Sequence, residues 1–188
     1  MKKNKLENQG FTFIEAVFSV AIFIFITLAI FYLYYNYSNI YNYQLVEARV
    51  AGSARTAANE LQKIALQADK IVASHDFSGH TYSSGLHTLV VEIPSVDGSG
   101  NIAAGKYDYA AFYTSGANFF ELMQADAASS RPSGLKNLSD AVSTITFTYN
   151  NADLGLASKI DADMQMQAMA RRQTVAYRLR QELYLRNK

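Results

Sequence analysis

The stretch that decides the architecture is FTFIEAVFSVAIFIFITLAIFYLYY, Phe11–Tyr35. From Ala16 to Tyr35 it runs for 20 residues without a formal charge, and only Ser19 and Thr27 interrupt it with small polar groups. At 1.5 Å per residue such a helix is about 30 Å long, the thickness of a bilayer's hydrocarbon core. It is apolar on every face. As a buried helix it would need protein on all sides, and the rest of a 188-residue chain is too small to supply that. A cleaved secretory signal carries roughly 7–15 apolar residues and a small-residue cleavage site. Here the run is longer and passes into Tyr32, Tyr34, Tyr35, Tyr37, Tyr41 and Tyr43 without an A-x-A pattern. Tyrosine rings suit a membrane interface, where the ring is apolar and the hydroxyl is wet. Lys2, Lys3 and Lys5 against Glu7 place the amino terminus in the cytoplasm and everything after the apolar run outside the cytoplasmic membrane.

Glu15 does not fit a simple anchor. An acid at the edge of an apolar run is costly, and intramembrane acids mark functional sites. Thr12-Phe13-Ile14-Glu15 also matches a capping box, in which the glutamate reaches back to the threonine backbone. The Lys-rich leader, Gly10, then Phe11-Thr12-Phe13-Ile14-Glu15 and the apolar run together resemble the processing signature of type IV pilins and type II secretion pseudopilins. The resemblance covers about 25 residues at the amino end. It implies that a prepilin peptidase cuts between Gly10 and Phe11 and methylates the new Phe11 amine. It further implies that Glu15 pairs with the Phe11 amine of a neighbouring subunit, an arrangement that neutralises both groups where water is scarce. Implied partners are the prepilin peptidase, other pilin or pseudopilin subunits, an inner-membrane assembly platform, and the lipid bilayer before assembly. The sequence departs from many pilins in having prolines only at Pro94 and Pro132, so the first helix has no proline kink; any softening falls at Asn36-Tyr37-Ser38-Asn39.

After Tyr43 the pattern becomes amphipathic. Ala54, Ala57, Ala58, Leu61, Ile64, Ala65, Ala68, Ile71 and Val72 recur at helical spacing. One nearly continuous helix is expected from Thr12 to Ala73, about 90 Å long. Residues 1–10 are then a leader, 11–43 a transmembrane or filament-core helix, 44–73 an amphipathic helix, and 74–188 a β-rich head. Within the head, His75–Leu86 reads as a loop, and His87–Ile93 as a strand ended by Pro94. Tyr107–Thr114 and Phe119–Ala125 follow as strands, then residues 126–139 as a polar connection and Val142–Tyr149 as the clearest strand. The last thirty residues fit either period. Helix formers fill the segment, while Val175, Tyr177, Leu179, Leu183 and Leu185 alternate, and a terminal strand over 173–185, after a short helix, is the choice. The fold class is α+β: a long helix laid against a small antiparallel sheet, in outline resembling the family's ladle-like fold.

Catalysis is not expected. The chain has no cysteine, and no G-x-S-x-G, phosphate-binding loop or H-E-x-x-H. Ser133-Gly134-Leu135-Lys136 matches S-x-x-K, but its companion motifs are absent. His75, His80 and His87 lack metal-ligand spacing, and Asp97, Ser99, Asn101 and Asp108 only faintly echo a calcium loop, with Ile102 where glycine is required. No cofactor or metal is therefore assigned. The absence of cysteine also removes the disulfide that closes the head loop in many pilins, which favours a minor pilin or pseudopilin role and leaves a major pilin as a further alternative.

The charge distribution is uneven. Residues 159–188 carry seven basic and three acidic side chains, net +4, whereas residues 11–158 sum to −5. Arg171, Arg172, Arg178 and Arg180, beside Tyr177 and Tyr184, are candidate DNA contacts; the same charges more often neutralise an acidic neighbour or an adjoining subunit. The sequence is thus read as a membrane-inserted subunit that polymerises. A single-pass anchored binding module that never polymerises, such as a DNA-contacting competence component, is the alternative.

Overall fold

The computed structural model describes residues 12–185, so Gly10, Phe11 and Arg186 lie outside the described residues. The chain divides into a unit up to Asn42 and a unit from Tyr43 onward. Helix α1 spans Phe13–Ala65.

In the first unit, no glycine or proline occurs between Phe11 and Asn42, so nothing breaks the backbone ladder. The helix continues through Asn36–Asn39, the stretch where any softening would have fallen. Its polar side chains are satisfied locally. Ser19 and Thr27 hydroxyls donate to the carbonyls of Glu15 and Phe23, each at 2.8 Å, and the Asn42 amide donates to the Ser38 carbonyl at 2.6 Å. This back-bonding lets hydroxyls sit in an apolar segment without partners from elsewhere.

In the second unit, the later turns of α1 bury Val50, Ala54, Ala57, Ala58, Leu61, Ile64 and Ala65. That is one stripe at i, i+3 and i+4, and its alanines let the helix approach the sheets closely. The helix stops at Ala65, eight residues short of the expected Ala73. Ala68 and Ile71 are nevertheless buried, because the chain turns and pairs as strand β1 (Lys70–Ile71) instead of continuing as helix.

The remaining strands are β2 (Ser74–Phe77), β3 (His80–Ser83), β4 (Thr88–Val96), β5 (Ile102–Ser115), β6 (Asn118–Gln124), β7 (Gly134–Ser139), β8 (Val142–Tyr149), β9 (Lys159–Ala170) and β10 (Gln173–Tyr184). They form a five-stranded sheet in the order β1-β4-β5-β6-β7, a three-stranded sheet β10-β9-β8, and the hairpin β2-β3. All pairs are antiparallel. The head therefore holds two meanders where one was expected. One core joins the α1 stripe to both, including Ile93, Phe112 and Phe119 from the first sheet and Ile145, Phe147, Met164 and Leu183 from the second.

Four expectations change. The His75–Leu86 stretch is mostly the β2-β3 hairpin, turned by Ser78 and Gly79 at φ 54° and 98°, with the Asp76 carboxylate accepting from the Gly79 N–H at 2.8 Å. Pro94 does not end its strand: β4 continues to Val96 through a register shift, which absorbs the missing N–H. The 126–139 connection contains β7. The stretch before the terminal strand is the full strand β9 rather than a short helix; Ile160, Ala162, Met164 and Met166 alternate into the core. The terminal strand itself runs as expected, Gln173–Tyr184.

Candidate functional site

The helix start is built as a capping box. Thr12 donates to Glu15 Oε2 through its backbone N–H (2.9 Å) and its hydroxyl (2.8 Å), and the Glu15 N–H approaches the Thr12 hydroxyl at 3.4 Å. The reciprocal bonds satisfy orphan donors at the helix start. The carboxylate is thus held at the amino end, on the side where the helix dipole favours negative charge. Phe11, the expected partner through its amine, lies outside the described residues, as does Gly10.

On both sides of Glu15 the helix presents apolar side chains, Phe13 (87% exposed) before it and Phe18, Phe23, Phe25, Leu28 and Phe31 after it, all exposed. Apolar surface of this extent requires lipid or other chains around it. α1 is long and apolar enough to cross a membrane.

The basic residues near the carboxyl end are placed by the β9-β10 hairpin. Asp163 accepts from Arg178 Nε at 2.8 Å and from Arg180 Nε at 3.1 Å. The Arg178 hydrogen bond, with Arg180 adding to it, holds the Asp163 carboxyl below its usual range against the opposing effect of burial. Arg171, at φ 55°, forms the turn, and Arg172 beside it is exposed. Two of the four candidate DNA contacts therefore already share a carboxylate within the chain. Replacing Arg171, Arg172 and Arg178 with glutamine is expected to leave salt-sensitive retention on DNA unchanged. A loss of about tenfold or more at moderate salt would restore the DNA reading.

The other sequence candidates are separated. His75 stacks on Tyr109 with ring centroids 3.6 Å apart, His80 meets Tyr82 edge-on, and His87 Nδ1 lies 2.7 Å from the Ile145 carbonyl. Asp97 closes a tight turn by accepting from the N–H groups of Asn101 and Ser99, both at 2.9 Å, and these bonds lower its pKa. Asp108 belongs to a different network. Ser133 Oγ accepts from the Ala125 N–H at 2.9 Å and Lys136 pairs with Glu60, so the S-x-x-K residues are held apart by structural bonds. Among the described residues no three His, Cys, Asp or Glu side chains converge on a metal position.

Two features were not anticipated. Asp108, fully buried on β5, accepts from Ser95 Oγ (2.7 Å), the Asp126 N–H (2.9 Å), Ser129 Oγ (2.8 Å) and Arg131 Nη1 (2.6 Å). Arg131 also donates to the Pro94 carbonyl at 2.7 Å and to Gln67 Oε1 at 3.1 Å. One ion pair thus ties the β6-β7 connection to the β4 bulge and to the turn after α1. The second feature is Glu121 on β6, buried, with Lys136 opposite it in the β6-β7 register. An acid at an inward position of Asn118–Gln124 (NFFELMQ) was the available signal, since Phe119, Glu121 and Met123 share a face.

The chain matches no protein-family model, no curated protein and no solved structure. The class defined by these observations is an α+β protein with one long amino-terminal helix, apolar in its first part and packed on antiparallel sheets in its last turns.

Proposed function

We propose that the chain is the precursor of a filament subunit of the type IV pilin and type II secretion pseudopilin kind, most closely a minor pilin or pseudopilin. The observation that carries this reading is an uncovered apolar helix whose first turn holds a carboxylate, directly after Gly10-Phe11 in a Lys-rich leader. In an anchor alone the acid would serve only to cap the helix start.

Cleavage after Gly10 by a prepilin peptidase would create a cation at Phe11. Glu15 would then exchange its Thr12 donors for the Phe11 amine of a neighbouring subunit. Apolar side chains from Phe11 to Tyr43 would exchange lipid for neighbouring helices, so packing and this ion pair drive assembly rather than burial from water. The protein would sit in the cytoplasmic membrane with its amino terminus inside, and its head would become part of an extracellular or cell-surface filament.

The test is mass spectrometry on sheared and membrane fractions of cells. The expected result is a peptide beginning at Phe11 with one added methyl; its abundance in the sheared fraction marks a filament subunit, and its retention in the membrane marks a minor pilin or pseudopilin component. Finding only intact chains that retain Met1–Gly10 would support the anchored binding module instead.

A further inference from the structure

A groove of about 430 Å³ opens on the head between the last turns of α1 and strands β6 and β7, a volume in the range of small-molecule sites. Ile64, Met123 and Leu135 give it apolar walls. Its charges do not balance. Arg131, in the lining, is committed to the buried Asp108. Lys63 and Lys136 both reach Glu60 Oε1, at 3.0 and 3.1 Å. One carboxylate thus answers two ammonium groups, and one positive charge at the groove has no counter-ion. Both lysine side chains are more than half exposed, so turning one of them from Glu60 to another anion costs little, and Glu60 keeps the other.

Glu121 does not supply the missing charge. It is 6% exposed, and its Oε2 has no hydrogen-bond partner among the described residues. Phe112 of β5 and Lys136 of β7 flank it in the sheet register, and Glu60 and Lys63 of α1 share the groove with it. Burial first, then the Glu60 charge, favours its neutral form, and Lys136 and Lys63 oppose this only in part. A neutral carboxyl group is a hydrogen-bond donor. The groove therefore sets an unanswered cation beside a buried donor without an acceptor, under apolar walls.

We propose that this groove binds a small amphiphilic carboxylate, which accepts a hydrogen bond from the Glu121 carboxyl group and pairs with Lys136, its apolar body lying against Ile64, Met123 and Leu135. A bond from a carboxylic acid to a carboxylate is short and charge-assisted, and burial strengthens it. A cationic guest would meet Lys63, Lys136 and Arg131, and an uncharged one would leave the extra lysine charge unanswered. Binding is linked to protonation. The guest favours neutral Glu121, so affinity is full at low pH and falls as pH rises through the raised pKa of that group. The site belongs to the head alone and holds whether or not the chain polymerises.

The test is a titration of the full chain in a neutral detergent with hexanoate labelled with 13C at its carboxyl group, followed by NMR, with protein-free micelles as the blank. Measurements run from about pH 6 to about pH 9, where the guest stays ionised. Saturable binding above the blank is expected, at least about tenfold tighter at the acid end, the factor a hydrogen bond to a charged group supplies. Acetate, which lacks the apolar body, should bind at least about tenfold more weakly than hexanoate. Glu121→Gln keeps a donor that does not titrate, so its affinity should stay level across the range. Glu121→Leu should lose about tenfold at the acid end, and Lys136→Gln about threefold, the value of a half-exposed pair. The pH and acetate comparisons use the wild-type chain, so they decide the matter even if a variant fails to fold. No saturable binding above the blank overturns the site. Wild-type affinity that is level with pH, or a folded Glu121→Leu chain that binds as the parent does, overturns the part of Glu121. Acetate binding as well as hexanoate marks an adventitious ion only, and tighter binding of hexylamine than of hexanoate reverses the charge of the guest and overturns the proposal.

Discussion

On the proposed filament reading, Glu15→Gln is expected to leave cleavage after Gly10 intact and to lower recovery of the subunit in sheared filaments at least about tenfold, as loss of a charge-assisted bond in a dry environment requires. Glutamine is the informative replacement because it separates two roles. The capping box accepts glutamine at the position of Glu15, so the bonds to the Thr12 backbone and hydroxyl can persist without the charge. Glu15→Ala removes both the cap and the charge. If Glu15 served the helix start alone, the glutamine variant would assemble normally and only the alanine variant would suffer, by the roughly 0.5–2 kcal/mol a cap is worth. If it pairs with a neighbour's amine, both variants fail alike. The measurement is the ratio of sheared to membrane-bound subunit, with the peptide beginning at Phe11 as the control for processing.

Arg131→Met destabilises the head by about 3–5 kcal/mol, a large share of the roughly 5–15 kcal/mol a domain possesses. Its guanidinium is the cation facing Asp108, which would remain fully buried with only Ser95, Ser129 and the Asp126 N–H as donors. The Pro94 carbonyl and Gln67 would lose a donor as well. Replacing Asp108 by leucine in the same chain should recover part of the loss, because removing both charges avoids the uncompensated one. Denaturant melts of the full chain in detergent provide the comparison; equal stability of wild type and Arg131→Met would refute the role.

The pH profile carries a sign that can be checked in the same melts. Burial alone would raise the Asp108 pKa, but the bonds from Ser95, Arg131, the Asp126 N–H and Ser129 outweigh it and lower the value. Its contribution is present above the ordinary aspartate range and is lost as pH falls through the lowered native value. Glu121 runs the opposite way. Burial first, then Glu60, raises its pKa, so its contribution is complete below the ordinary glutamate value and disappears as pH rises through the raised one. Glu121→Gln should therefore flatten the decline on the alkaline side and leave in place the acid limb, to which Asp108 contributes with Asp97 and Asp163.

The sequence by itself determined whatever depends on neighbours along the chain. Twenty uncharged residues specify a membrane-length helix whatever follows, and T-x-x-E specifies its cap, because those interactions close within one turn. Val142–Tyr149 (VSTITFTY) and the terminal strand were legible for the same reason: β-branched or alternating residues declare a half-buried strand. The tertiary structure decided the rest. Ala68, Ile71 and Val72 continue the helical spacing past Ala65, yet Ile71 is buried by pairing with Val91 of β4, and spacing alone does not distinguish burial as helix from burial as strand. The helix-forming methionines and glutamines of β9 became a strand because β8 and β10 offer a ladder on both sides, which outweighs intrinsic preference. Asp108 meets Arg131 across 23 positions, and Glu121 loses Lys136 to Glu60. Charge partners are chosen by distance in space, and no local pattern in a chain encodes that distance.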